Sequence, residues 1–326
     1  MDRSVDVRTR FVEIQARMRL PVIVAPMLRV SGPALVAAVR AQGAVGAFPT
    51  ANARSVEELD DWVAQIKRLG AGIEALPPYC PNLIMRQARL KDDLACLLRH
   101  GVEMVITSVG SPAPVVQPLH DIGCLVFADV ASIEHAEKAL RAGADGLILL
   151  TAGAGGQTGW ANGFAFVRAV RAFFDGPLVM AGGMSDGAAL LAAQVAGCDL
   201  GYMGTRFIAT RESMAAEAYK AMLVESRLDD VMLTRAFTGL DANMLRPSVV
   251  AAGLDPANLE ELNSEEIARR KYGGGQGQEG PKRWKDIWSA GHSVSGIDGV
   301  DTVAGLMART REEYESARQR ARRLLE

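Results

Sequence analysis

An α/β barrel built from eight successive strand–helix units is the fold this sequence predicts, and three observations predict it. From about Leu20 to Phe207 short apolar runs alternate with amphipathic stretches, the rhythm of a parallel sheet covered by helices. Eight such units follow one another, each of about 20 to 30 residues, which suits a barrel repeat. The chain has 326 residues, and a barrel of this kind needs roughly 250, so an insertion is expected as well. The fold class is therefore α/β, a (β/α)8 TIM barrel with a helical lid insertion after strand eight. The barrel is expected over 1–210 and 285–326, the insertion over 211–284.

The strand candidates are Val22–Ala25, Val45–Phe48, Gly72–Ala75, Met104–Thr107, Leu125–Ala128, Gly146–Leu150, Leu178–Ala181 and Leu200–Met203. Each is a short apolar run bounded by turn-forming residues. Helix starts are visible between them: Ser55 with Glu58 makes a capping box, and Asp186 precedes the apolar run Ala188–Val195. After Phe207 the rhythm stops. The segment from about Arg211 to Trp284 reads as helices with polar joints, and Lys271–Gly280 is too glycine-rich to be anything but loop. The tail ends in a charged helix, Arg309–Leu325, whose apolar positions return it to the barrel wall, while its basic run Arg318–Arg323 reads as a solvated face.

Composition narrows the function classes. Lys and Arg number 36 and Asp and Glu 38, for a formal charge of -2, so nothing favours nucleic acid or another polyanion, and a small-molecule substrate is expected. Cys80, Cys96, Cys124 and Cys198 lie far apart with no metal-ligand spacing, so they are expected as reduced core residues, with no metal site. The polar, charged N-terminus and the lack of any apolar run near the roughly 20 residues that span a bilayer argue against membrane partners. A cytoplasmic protein is expected, and a homodimer is compatible with the sequence.

Four motifs carry the chemistry. Strand seven runs into Ala181-Gly182-Gly183-Met184 and strand eight into Met203-Gly204-Thr205-Arg206. In barrels of this type the loops after strands seven and eight commonly form a phosphate site, because glycine lets backbone N–H groups approach the oxygens and a following helix adds its positive end. Glycines that merely permit tight turns are the alternative. The third motif, Thr151 to Trp160, holds Gly153, Gly155, Gly156, Gln157 and Gly159 after strand six, and glycines here let a planar ligand press against main chain. Its spacing does not fit the dinucleotide fingerprint. The fourth is Ala25-Pro26-Met27 at the end of strand one. Asp129 and Glu74 end strands five and three, positions that face the active mouth, with a helix cap or a structural ion pair as the alternatives. Ser108 after strand four is a candidate ligand or turn cap. Trp160 and Tyr202 line the pocket or belong to the core, His292 reaches the mouth if the tail returns there, and His100, His120 and His135 read as surface residues.

The combination of PVIVAPM at Pro21–Met27, GAGGQTG at Gly153–Gly159, AGGM at Ala181–Met184 and YMGTRFIAT at Tyr202–Thr210 resembles the nitronate monooxygenase family, formerly 2-nitropropane dioxygenases. That family includes FMN-dependent enoyl-ACP reductases and NADH:quinone reductases. The resemblance implies an FMN barrel with a lid, with Ala25, Pro26 and Met27 beside the isoalloxazine ring and Gly182, Gly183, Gly204 and Thr205 on the phosphate. Ala181, Met203, Ser108, Gly155, Gly156, Gln157, Glu74 and Asp129 complete the expected cofactor-binding set, and Gln157, Asp129 and His292 the expected catalytic set. Many members carry histidine where Gln157 stands. Glutamine does not titrate and cannot act as a base near neutral pH. Relatives often carry asparagine where Glu74 is expected to stand, and some carry lysine near Asp129. The activity implied is oxidation of a small alkyl nitronate by dioxygen. The alternatives are NAD(P)H-dependent reduction of an enone, enoyl thioester or quinone, a flavin-free barrel binding a phosphorylated ligand, and a catalytically weakened flavin-binding relative.

Overall fold

The computed structural model describes residues 3–259 and 286–326. Eight parallel strands close into a barrel: β1 (Val22–Val24), β2 (Val45–Pro49), β3 (Tyr79–Ile84), β4 (Met104–Ser108), β5 (Leu125–Val130), β6 (Gly146–Leu150), β8 (Leu178–Ala181) and β9 (Leu200–Met203). The short strand β7 (Gly156–Gln157) lies outside the barrel wall. Closure comes from β1 against β9, with Val22 opposite Gly201 and Val24 opposite Met203. The helices α1 (Arg3–Ala16), α2 (Pro33–Ala41), α3 (Val56–Leu69), α4 (Leu90–His100), α5 (Ala113–Asp121), α6 (Ile133–Arg141), α7 (Gly163–Arg171) and α8 (Gly187–Ala196) surround it.

The strands read as continuous apolar runs because both faces are buried. Ile23, Cys80, Met104, Ile106, Phe127, Ile148, Val179 and Leu200 fill the interior, while the alternating Val22, Val24, Leu147, Leu149, Leu178 and Met203 pack outward beneath the helices. Phe11 and Ile14 of α1 join the interior cluster, and the Phe11 ring lies 6.0 Å from that of Phe127. Helix α1 thus plugs one end of the barrel and leaves the end formed by the strand C-termini for chemistry.

Seven strands fall where the sequence predicts them, and the third does not. Gly72–Ala75 is an exposed turn in which Gly72 and Ala75 both adopt positive φ, +82° and +50°, and the strand is Tyr79–Ile84. Pro81 inside that strand and the preceding Pro77-Pro78 hid its signal, since proline weakens any strand pattern. The helix starts hold: Ser55 Oγ accepts from Glu58 N at 3.2 Å, and Asp186 Oδ1 from Ala189 N at 2.8 Å. All four cysteines are buried and free.

Beyond β9 come the single turn α9 (Thr205–Ile208), α10 (Glu217–Glu225), the antiparallel pair β10 (Val231–Thr234) and β11 (Ala242–Leu245), and α11 (Arg246–Ala251). The expected helical insertion is therefore helical only in part within 211–259. Strand β11 also pairs with β7, joining the insertion to the glycine-rich loop. Four-residue strands carry too little periodicity to be told from helix in a sequence. The rest of the expected insertion, 260–284, and with it the glycine-rich stretch 271–280, lies outside the described residues. The C-terminal helix, Val303–Leu325, packs on α8, where Gly187 N donates to Glu313 Oε2 at 3.0 Å. Among the described residues no helix is long and apolar enough to cross a membrane.

Candidate functional site

A cavity of about 870 Å3 opens at the C-terminal end of the barrel. The turns after β8 and β9 meet there, because these two strands are hydrogen-bonded neighbours and Gly182, Gly183, Gly204 and Thr205 all line the cavity. Gly182 and Gly183 have φ of +113° and +70°, a region that favours glycine. A Cβ on Gly182 would stand 2.2 Å from Thr151 Oγ1, whereas one on Gly183 would meet nothing within 4 Å. The second glycine thus presents open space to an incoming group. The Thr205 hydroxyl accepts from Gly291 N at 2.9 Å and keeps its own proton to donate.

The expected help from helix dipoles is not delivered. Asp186 occupies the N-cap of α8, and α9 spans four residues, too short to sum peptide dipoles appreciably. An anion at these turns would rely on backbone N–H groups and the Thr205 hydroxyl. The turns are fixed from behind by Arg206, which is 7% exposed and donates to Ser185 O at 2.6 Å while facing Glu313 of the C-terminal helix at 3.5 Å.

The glycine-rich loop after β6 forms the adjoining wall. Gly153, Gly155, Gly156 and Gln157 line the cavity, and Gly155 is needed because a Cβ there would sit 2.7 Å from Gly291 N. Asn243 of β11, 2% exposed, donates both amide hydrogens into this loop, to Ala152 O at 2.9 Å and Ala154 O at 2.7 Å. Gln157 is half-buried at the cavity surface. The returning tail closes over the loop through Ser289, Ala290 and Gly291, and Tyr219 stacks on Trp288 at 5.0 Å.

The remaining walls come from the other strand tips. Ala25, Pro26 and Met27 follow β1, braced by Asn52, whose amide donates to Met27 O and Ser31 O, each at 2.9 Å. Asn82 of β3 and Ser108 of β4 line the cavity side by side, with Asn82 Nδ2 donating to Ser108 Oγ at 3.1 Å. Asp129 of β5 and Tyr202 of β9 also line it, and Asp129 Oδ1 and Tyr202 Oη are buried without hydrogen-bond partners. Burial pushes the Asp129 carboxyl up to about 7 and the Tyr202 phenol well above its ordinary value, with further help from Asp129.

Several expected site residues fall elsewhere. Glu74 is exposed in the α3–β3 turn, away from the cavity, because the third strand lies further along the chain. Asn82 lines the cavity from strand three instead. Replacing Glu74 by alanine is accordingly expected to leave cofactor content and activity within experimental error of the parent, read by absorbance and turnover. Met203 is 1% exposed in the barrel wall and contributes through its backbone, its carbonyl accepting from Ala25 N at 2.8 Å. His292 is exposed, but its ring packs against cavity-lining Gly153, where a Cβ would stand 3.3 Å from its Cγ and Nδ1, and its backbone N donates to Gly153 O at 3.0 Å. Trp160 is 79% exposed. His135 is exposed at the cavity rim with Arg86 and Lys138, but the His120 ring is buried against Asp145, Nε2 to Oδ2 3.0 Å, and His100 pairs with Asp60 at 3.0 Å. Asp60, Cys96 and His100 form the one compact group of metal-ligand types among the described residues. Arg99 and Lys67, at 3.1 Å from Asp60 and 3.4 Å from His100, occupy it as hydrogen-bond donors. The tail does return to the mouth, through Ser289–Gly291, while Asn82 and Asn243 are site elements not foreseen in the sequence.

The model of the nitronate monooxygenase family matches residues 9–271. The chain belongs to that family. It is 28% identical over 233 residues to the (3aS,4S,5R,7aS)-5-hydroxy-7a-methyl-1-oxo-octahydro-1H-indene-4-carboxyl-CoA dehydrogenase of Mycobacterium tuberculosis. That match covers 71% of this chain and 64% of the relative, less than two thirds of the relative's length. It is also 28% identical over 282 residues to the nitronate monooxygenase of Paraburkholderia phytofirmans, covering 74% of this chain and 77% of that protein. Among solved structures, nitroalkane oxidase from Streptomyces ansochromogenes superposes with a TM-score of 0.79 at 24% identity, over 95% of this chain and 99% of that one, a likeness of fold. The family's members are flavin-dependent oxidoreductases.

Proposed function

We propose that this protein is an FMN-dependent oxidoreductase of nitronate monooxygenase type that oxidises a small alkyl nitronate with dioxygen. The observation that carries the reading is the pair of glycine turns at adjacent strand tips, opening onto one large cavity at the chemically active end of the barrel. The residues fit the cofactor: Gly183 leaves room for a phosphate, and two orphaned buried atoms, Asp129 Oδ1 and Tyr202 Oη, await a polar partner. Gly182, Gly183, Gly204 and Thr205 would hold the phosphate. Ala25–Met27, Ser108, Asp129, Gly155–Gln157 and Ala181 would surround the ring system. Bound FMN supplies acceptance of electrons from the substrate and their passage to dioxygen. The chain's task is then to bind and orient.

Gln157 suits this task. A nitronate is already an anion, so no base is needed to generate it, and an amide N–H aimed at its oxygens orients it without titrating. The substrate is a small molecule, and cytoplasmic location and a homodimer belong to the same proposal.

A second reading is favoured by the cavity rim. Arg86, His135 and Lys138 line it from the side of β3, β4 and α6, across the barrel from the glycine turns. They would suit the phosphates of an acyl thioester carrier, and the relative from Mycobacterium tuberculosis is a carboxyl-CoA dehydrogenase. In that reading NAD(P)H or the thioester exchanges electrons with the flavin.

The test is an absorbance spectrum of the purified protein followed by anaerobic mixing with an alkyl nitronate, NADH, NADPH and acyl-CoA thioesters in turn. Fast bleaching by the nitronate, with recovery on admitting air, supports the first reading. Bleaching confined to a reduced nicotinamide or a thioester moves the assignment to the second. A colourless protein that takes up no FMN discards both in favour of a flavin-free barrel, and a yellow protein that no donor reduces marks a catalytically weakened relative.

A further inference from the structure

The cavity holds two buried polar groups to which the proposed reaction assigns no proton-transfer role. Asp129 and Tyr202 lie on the non-adjacent strands β5 and β9, both line the cavity, and the Asp129 charge helps raise the Tyr202 phenol. Both carry a buried polar atom with no protein partner, an arrangement that calls for a water, an ion, a ligand or a catalytic role to account for it. Around them stand apolar side chains: Ile23, Met104, Ile106, Phe127, Ile148 and Val179.

We propose that Asp129 is a proton store of the cavity, taking a proton from solvent when a bound flavin would gain negative charge on two-electron reduction and returning it on reoxidation. This rests on the cavity being a flavin site. Were a bound flavin given two electrons by dithionite, it would take them with one proton and the Asp129 carboxylate would take a second, so that two electrons and two protons would enter the site and leave its charge unchanged. Without that second proton, the reduced cofactor would face a carboxylate in a medium of low dielectric, where like charges repel strongly.

The surroundings support this assignment. Facing Asp129 inside the barrel are the Cys80 thiol of β3 and the Tyr202 phenol of β9, both pushed well above their ordinary range by burial, so both stay neutral. The neighbouring strands β4 and β6 bring only Thr107 and Ser108 as polar side chains. Arg86, His135 and Lys138 stand at the exposed rim, where water screens them. Burial already holds the carboxyl at about 7, so a modest added negative charge suffices to protonate it.

Reduce the flavin-loaded protein with dithionite anaerobically at pH 8 and record proton uptake and the reduced-minus-oxidised infrared difference spectrum. After subtraction of the protons that dithionite releases on oxidation to sulfite, the parent should take up two protons per flavin and gain a protonated-carboxyl C=O band. Asp129→Asn should take up one and lack the band. A yellow parent protein with no carboxyl band, or Asp129→Asn with undiminished uptake, overturns the proposal while leaving the flavin assignment intact. A parent that binds no flavin overturns both. Because the infrared measurement is made on the parent, the proposal stays open to refutation even where Asp129→Asn fails to fold.

Discussion

Gly183→Asp is expected to yield a folded protein that has lost its flavin. The residue is exposed on the cavity surface, and a Cβ there meets no neighbour within 4 Å, so no packing is disturbed. Aspartate tolerates positive φ better than most side chains, and the backbone cost at φ +70° is about 1 kcal/mol. The electrostatic cost to the ligand is larger. A carboxylate about 4 Å from a phosphate charge, at an effective dielectric near 20, repels it by about 4 kcal/mol per charge. Affinity for FMN should fall by at least about a hundredfold, while the melting temperature of the apo-protein shifts by only about 2–4 °C. Flavin fluorescence titration and thermal unfolding of apo-protein separate the two effects. Gly183→Ala, which adds bulk without charge, should fall between parent and aspartate variant. An aspartate variant that purifies with a full complement of flavin would remove the phosphate from these turns, and with it the basis for the proposed chemistry.

What the sequence disclosed and what it concealed divide along a physical line. Contiguous signals were readable. A strand buried on both faces is a short apolar run, and a loop that presses backbone to backbone is a run of glycines. Hence seven strands and both glycine turns stand where they were expected. Signals that depend on tertiary pairing were not readable. Asn243 lies some 90 positions from the carbonyls it binds, and nothing in its neighbours marks it as a clamp. The Ser289–Gly291 tail becomes part of the site only because Gly155 has no side chain to hold it off. The error at Glu74 was one of register. Apolar residues around a turn resembled a strand, while Pro81 weakened the true one, and the misplacement moved a carboxylate into the predicted site and left Asn82 out. Asp129 shows the converse: its position at a strand tip was evident, but its raised carboxyl comes from burial by strands far away in the chain.

The clamp at Asn243 carries the second large effect. Its amide supplies two hydrogen bonds, at 2.9 and 2.7 Å, to the carbonyls of Ala152 and Ala154, from a side chain that is almost fully buried. Replacing it by alanine leaves both acceptors facing a void. Each unsatisfied buried carbonyl costs roughly 1–3 kcal/mol, so a loss on the order of 3 kcal/mol is expected, more than most single substitutions produce. Asn243→Asp should be worse than alanine although it is nearly isosteric. A carboxylate has no hydrogen to donate and would set its oxygens against two carbonyl oxygens, so the carboxyl must either take up a proton or push the loop away. The damage should be local first, because β7 pairs with β11 at Ala242 and Asn243 themselves. Amide hydrogen exchange at Gly156, Gln157 and Thr158 should accelerate well before the barrel strands lose protection. Since the glycine turns after β8 and β9 are built from other residues, the variant should still bind flavin while the Michaelis constant for its oxidisable substrate rises with the displacement of Gln157. Unchanged exchange across 156–158 together with an unaltered melting temperature would mean that the two hydrogen bonds do not hold the loop, and the ordering of Gln157 over the cavity would need another cause.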